Sequence, residues 1–187
     1  MLIKIEVSAR HIHFTRQDIN VLFGENYQLR QRNKLSQADD FASQETVSVK
    51  TEKGELELRI IGPERAYSQV ELSITDTIKL GIDTSLKLSG DIKSVPRVNV
   101  LGPNGAIQTP VIIAKRHLHL SKEQASELGI EDGKICKIKI EGERGLVFDN
   151  VIARVGEGFD LVFHIDTDEA NACGLGKTCE EEGEIIL

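Results

Sequence analysis

The stretch Ser8-Ala9-Arg10-His11-Ile12-His13-Phe14-Thr15-Arg16-Gln17-Asp18 changes its period as it runs. Ahead of it, Ile3, Ile5 and Val7 alternate with Lys4 and Glu6, the pattern of a strand with one buried face. Within it, a His-x-His pair leads to Thr15, whose hydroxyl followed by Asp18 is a helix-start signature. Ile19, Val21, Leu22 and Phe23 then give a short helical pattern that Gly24 stops. The same order returns where Val111, Ile112 and Ile113 precede Lys115-Arg116-His117-Leu118-His119-Leu120, followed by Ser121-Lys122-Glu123-Gln124 and Gly129. Arg10, His11, His13 and Thr15 match Arg116, His117, His119 and Ser121 at a constant offset of 106 residues, so the chain contains an internal duplication.

Around the duplication the pattern is one of strands and turns. Leu56 to Ile61 and Val98 to Leu101 are apolar strands, each followed by a Gly-Pro turn at Gly62-Pro63 and Gly102-Pro103. Ile135 to Ile140 and Leu146 to Val155 flank the loop 141–145, and Phe159, Leu161, Phe163 and Ile165 alternate with Asp160, Val162, His164 and Asp166. The tail after Asn171, with the acidic run Glu180 to Glu182, reads as a solvated end. Short strands with two or three short helices predict a mainly β class, barrels with helical caps. Without a proline-rich or glycine-serine linker, two domains would be closely joined.

Composition bounds the function. The 187 residues are 40% hydrophobic and 28% charged, the balance of a globular protein able to hide roughly 70% of its unfolded surface. No apolar run approaches the ~20 residues needed to cross a bilayer, and the first strand leaves no room for a leader, which predicts no membrane partner and a cytoplasmic location. Cys136, Cys173 and Cys179 are an odd count without framework spacing and read as reduced thiols. The formal charge of -7, with two Tyr, six Phe and no Trp, argues against a nucleic-acid partner. An anionic substrate would need local cations or a metal.

Four of the five histidines lie in the two His-x-His pairs. On a strand, residues i and i+2 share a face about 6.6 Å apart, so two imidazoles converge on one ion while Ile12 or Leu118 points into the core. His164 follows on a polar strand face with Asp166. Neutral imidazoles with carboxylate support suit zinc, and a catalytic zinc keeps three protein ligands and one open position. Five histidines and one carboxylate would furnish two such sites. Glu71, Glu45, Asp166 and Asp168 are candidates for the sixth ligand, and the pattern does not choose among them. Glu71 shares a polar strand face with Gln69 and Ser73, opposite Val70 and Leu72. Arg10 and Arg116 read as salt-bridged structural residues. Arg65 follows the Gly62-Pro63 turn, whereas the related turn carries Gly105; a cation kept on one turn alone suits an anion, but the residues by themselves read more readily as a surface arginine.

Several look-alike motifs fail. Gly174-Leu175-Gly176-Lys177-Thr178 lacks the first glycine of a phosphate loop, since Asn171 stands there. Asp166-x-Asp168 lacks the glycine and final glutamate of a calcium loop. No Gly-x-Ser-x-Gly elbow occurs, which disfavours covalent serine catalysis.

Taken in order, several segments closely resemble the PduL-type phosphotransacylases (phosphate propanoyltransferases) from about Ile3 to Asn171. They are Ser8-Ala9-Arg10-His11-Ile12-His13, Leu35-Ser36-Gln37, Glu45-Thr46-Val47, Gly62-Pro63-Glu64-Arg65, Gln69-Val70-Glu71, Arg116-His117-Leu118-His119, residues 145–150 and residues 164–171. The resemblance implies two closely joined β-barrels capped by short helices, with the first strand returning to the C-terminal barrel. Residues 1–9 and 115–187 would then form one domain and 10–114 the other.

It implies two zinc ions at the junction, one held by His11, His13 and Glu71 and one by His117, His119 and His164. Arg65 would bind phosphate, and Ser8 would lie near the coenzyme A end. The implied reaction is acyl-CoA plus phosphate giving acyl phosphate plus coenzyme A, for short acyl chains, by direct attack of phosphate. A homo-oligomer is compatible with this reading. Microcompartment members of the family carry an N-terminal encapsulation extension that this sequence lacks, so a free cytosolic enzyme is expected. The alternatives are a zinc-dependent acyl-CoA thioesterase and a non-enzymatic zinc-stabilised ligand-binding barrel.

Overall fold

The computed structural model describes residues 1–37, 39–175 and 182–186. Gly176, Lys177, Thr178, Cys179, Glu180 and Glu181, which enter the readings above, lie outside them. The chain forms two units by its internal contacts: residues 1–9, 36–38 and 115–187, and residues 10–35 and 39–114.

The second unit contains β2 (His11–His13), α1 (Arg16–Phe23), β3 (Gln31–Lys34), β4 (Phe41–Lys50), β5 (Glu55–Gly62), β6 (Gln69–Leu72), α2 (Ile74–Leu80), β7 (Leu86–Lys87), β8 (Arg97–Leu101) and β9 (Ala106–Ala114). The first unit contains β1 (Leu2–Ser8), β10 (His117–Leu120), α3 (Lys122–Leu128), β11 (Ile135–Ile140), β12 (Leu146–Val155), β13 (Val162–Asp166), α4 (Thr167–Ala172) and β14 (Glu182–Ile186).

Each unit closes a six-stranded barrel. In the first the cyclic order is β1-β13-β10-β12-β11-β14. In the second it is β9-β6-β2-β5-β4-β8, with β3 and β7 added at the margins. The two orders superimpose strand for strand, including direction: β2 runs parallel to β5 and antiparallel to β6, as β10 does to β12 and β13. Closure removes the exposed edges that an open sheet of short strands would leave. The duplication crosses between units, because β1 precedes β2 in sequence but belongs to the other barrel, and β9 precedes β10 in the same manner.

Alternation fills each barrel. Ile3 and Ile5 of β1 point inward with Leu118, Ile138, Phe163 and Ile165 in one core, and Ile12, Leu58, Ile60, Val70 and Val100 fill the other. Ile12 and Leu118, the residues between the paired histidines, are both fully buried. The sequence signals for helix starts operate as expected: the Thr15 hydroxyl accepts from Asp18 N at 3.1 Å, and Ser121 and Gln124 form a reciprocal capping box.

Three expectations need correction. The described residues contain four helices, where two or three were expected; α2 and α4 lie in segments for which no helix was read. The strand expected from Phe159 begins at Val162. The tail is more than a solvated end, because Glu182–Ile186 pairs with β1 and β11 and closes the first barrel. Gly183 and Ile185 turn inward while Glu182, Glu184 and Ile186 stay exposed, an alternation masked by its acidic composition.

Candidate active site

Residues directly opposite in an antiparallel pair project on the same side. In the second unit His11 faces Glu71 across β2 and β6, and His13 faces Gln69. In the first, His117 faces His164 across β10 and β13, and His119 faces Val162. Glu71 and His164 therefore occupy equivalent register positions: each His-x-His pair receives its third candidate ligand from the next strand over.

His11, His13 and Glu71 come together so that one donor atom from each lies within 4.8 Å of the others. His11 Nε2 is 3.6 Å from Glu71 Oε2, and His13 Nε2 is 3.9 Å from Glu71 Oε1. Three donors around zinc at about 2.1 Å would stand roughly 3.4 Å apart in tetrahedral geometry, so a small side-chain adjustment suffices. His13 Nδ1 lies 3.2 Å from the Ile61 carbonyl. A carbonyl can only accept, so Nδ1 carries the proton and Nε2 presents its lone pair. Burial holds the His13 pKa down to about 3, the charges of His11 and Arg65 adding to the effect and Glu71 opposing it. The ring stays neutral, as a metal ligand must.

In the first unit the three imidazoles of His117, His119 and His164 have ring centroids 4.7, 4.9 and 5.1 Å apart. His117 Nδ1 lies 2.8 Å from the Lys115 carbonyl, which assigns its tautomer in the same way. Phe159 stacks on His119 at 4.2 Å with an interplanar angle of 6°. The alternation of residues 159–165 had placed this ring in a strand, and no sequence signal marked it as a cover for an imidazole. Both donor sets, two imidazoles with a carboxylate and three imidazoles, suit zinc.

The other candidate carboxylates are engaged elsewhere. Glu45 accepts from Arg30 Nε at 2.8 Å, Arg30 N at 3.1 Å and the Tyr27 hydroxyl at 3.0 Å. Asp166 caps α4, accepting from Glu169 N at 2.9 Å, and Asp168 lies in the first turn of that helix. Arg10 binds Asp76 in α2 at 2.8 Å, and Arg116 binds Glu169 in α4 at 3.2 Å while lying over the Phe148 ring. These pairs are again equivalent in the two barrels, and each ties the chain entering a His-x-His strand to the helix after its third ligand. Ser8 ends β1, half-buried and in register with Asp166.

Arg65 lies beside the first cluster. Its NH2 donates to Asp40 Oδ2 at 2.9 Å, and burial raises the Asp40 pKa while the guanidinium pulls it back. The comparison of Gly-Pro turns had set Gly105 as its counterpart. The backbone pairs it differently: Arg65 N donates to Phe14 O at 2.8 Å, and Gly156 N donates to Leu120 O at 3.0 Å. Phe14 and Leu120 are duplicates, so Gly156 stands where Arg65 stands, while Gly105 closes the hairpin between β8 and β9. The cation is still confined to one unit.

Sequence comparison places these observations. The family model for phosphate propanoyltransferase matches residues 4–176. A phosphate propanoyltransferase of Thermotoga maritima is 44% identical over 175 residues, covering 91% of this chain and 83% of the relative. One from Lachnoclostridium phytofermentans is 44% identical over 188 residues, covering 98% and 85%, and one from Limosilactobacillus reuteri is 39% identical over 190 residues, covering 100% and 88%. With a matching family model across nearly all of its length and two barrels that each present a histidine cluster, the chain belongs to the phosphate propanoyltransferase family of acyltransferases.

Proposed function

We propose that this enzyme transfers a short acyl group reversibly between coenzyme A and inorganic phosphate, using a zinc ion held by His11, His13 and Glu71 and another held by His117, His119 and His164. The observation that carries the proposal is the equivalence of Glu71 and His164: the same register supplies a third metal-competent ligand to each histidine pair. Bound there, zinc supplies a Lewis acid for the thioester carbonyl or the departing thiolate.

In the net reaction a phosphate oxygen bonds to the acyl carbon, the carbon–sulfur bond breaks, and the proton lost by phosphate ends on the coenzyme A thiol. Arg65 binds and orients the phosphate with its planar fork, while Asp40 holds the guanidinium in place from one edge. His13, kept neutral by burial, retains its lone pair across the working pH range. Ser8 contacts the coenzyme A end. Direct attack without an acyl-enzyme is supported by the placement of the described cysteines: Cys136 and Cys173 are buried, and burial pushes the Cys136 thiol above its ordinary pKa. The substrates are acyl-CoA and phosphate, and the products acyl phosphate and coenzyme A. Among the described residues no helix is long and apolar enough to cross a membrane.

The test is thiol release from acetyl-CoA with and without phosphate, before and after chelation. Phosphate-dependent release lost on chelation and restored by zinc supports the proposal. Phosphate-independent release assigns a thioesterase instead, and tight zinc without turnover assigns a structural metal. A covalent acyl-protein intermediate would exclude direct attack.

A further inference from the structure

Gln69 is fully buried in the second unit, two strand positions before the ligand candidate Glu71 with Val70 between them, and its counterpart in the first unit, Val162, is apolar. Its side chain uses both ends of the amide. Nε2 lies 2.6 Å from Glu71 Oε1 and 3.1 Å from Ser89 Oγ, and Oε1 accepts from Gly90 N at 2.9 Å. The backbone contact fixes which end is which, because a backbone N–H can only donate, so the NH2 must face the carboxylate. Gly90 presents that N–H with φ +97, and a side chain there would meet the Tyr67 hydroxyl at 3.0 Å. The loop after β7 is thereby a brace for the amide.

The duplication supplies an internal control. Gln69 faces His13 across the ladder, and the residue facing His119 is Val162. Val162 is equally hidden but apolar. An amide donor stands in the barrel whose third candidate ligand is a carboxylate, and an aliphatic side chain stands in the barrel where that ligand is an imidazole. A buried carboxylate without a donor is costly and free to rotate, whereas an imidazole cannot use a donor at the nitrogen that must face a metal.

We infer that Gln69 is the positioning residue of the His11, His13 and Glu71 centre, holding the Glu71 carboxylate aimed between the two imidazoles, with Ser89 and Gly90 holding Gln69 in turn. This rests on the proposed reading of those three residues as ligands. Donors of this kind around a metal site set affinity, and their loss typically costs about 10- to 100-fold.

The experiment titrates zinc into metal-stripped protein against a competing chelator, comparing the parent with Gln69→Met, which keeps the volume and removes the donors. The parent should bind two zinc ions. Gln69→Met should bind one as the parent does and the other about 10- to 100-fold more weakly, with the metal-free melting temperature read in parallel. Two ions bound by Gln69→Met as tightly as by the parent would overturn the inference, as would a lower metal-free melting temperature with unchanged zinc affinities. A parent that binds no zinc would instead sink the ligand reading itself. Should Gln69→Met fail to fold, Ser89→Ala removes only the outer brace and should weaken the same site several-fold; unchanged affinity there also overturns the inference.

Discussion

Replacing Arg65 with alanine removes the cation beside the His11, His13 and Glu71 cluster while leaving every candidate metal ligand in place. The guanidinium is about a quarter exposed, at 27% of its side chain, and already holds Asp40 at 2.9 Å. A hydrogen bond to a charged group in such a setting is worth about 1.5–3 kcal/mol. Phosphate arrives with up to two negative charges, so the upper half of that range applies, about 2–3 kcal/mol, or roughly 30- to 160-fold in kcat/KM for phosphate. Arg65→Lys keeps the charge but loses the fork and should recover only part of the deficit. Stability should change little, because the Asp40 carboxylate left behind still reaches water, at 23% of its side chain, and an ion pair in contact with solvent contributes about 0–1 kcal/mol. The assay is initial rate against phosphate at saturating acetyl-CoA, followed by thiol release, with the acetyl-CoA series at saturating phosphate as the comparison. An Arg65→Ala enzyme with unchanged kcat/KM for phosphate, or one that loses equally toward acetyl-CoA, would refute the assignment.

His117→Ala should abolish turnover while circular dichroism and the melting temperature of the metal-free protein stay close to the parent, since His117 is only partly buried; unfolding on substitution would assign the ring a structural role. Ser121→Ala breaks the capping box of α3 and should cost about 1 kcal/mol in denaturant titration, with kcat preserved. Burial disfavours the charged Glu45 carboxylate, yet donors from Arg30, the backbone and Tyr27 outweigh it and hold its pKa below the ordinary 4.5. A depressed carboxylate stabilises above its unfolded pKa and loses that contribution as pH falls through the folded value. Glu45→Gln should therefore lower the melting temperature at pH 7, and the gap to the parent should narrow as pH drops below about 4.5; a gap constant across that window would contradict the pairing.

Much of the barrel class was legible because it depends on local periodicity. The alternation of Ile3, Ile5 and Val7 and the start signals at Thr15 and Ser121 each act over a few residues, and the structure uses them as read. The helices α2 and α4 escaped although their caps were present, Ser73 with Asp76 and Asp166 with Glu169. Each has only six or seven residues, too few for a helical period to show against the flanking strand pattern; α3, with seven, was legible because it repeats the start signal of α1 after the second His-x-His pair. Strand β14 escaped for the opposite reason, its alternation being carried by glycine and glutamate instead of apolar residues.

The duplication was visible at an offset of 106 residues, but the partnership of Glu71 with His164 was not, because there the offset falls to 93. The chain between the histidine pair and the third ligand is shorter in the second copy, so no constant shift aligns both features. Hydrogen-bond register is indifferent to the length of the connection, and it restores the match.

The sequence alone thus determined the strand-forming periods, the two histidine pairs and the segments that mark the family, all consequences of short-range chemistry. The residue pattern left the carboxylate of the first pair open and the family resemblance named Glu71; only the tertiary structure brings Glu71 beside His11 and His13, sets Gly156 and not Gly105 opposite Arg65, and lets Gln69 meet Glu71. Those relations depend on which strands lie side by side and in what register, a choice made by closing the barrels around their cores and not by any residue's neighbours along the chain.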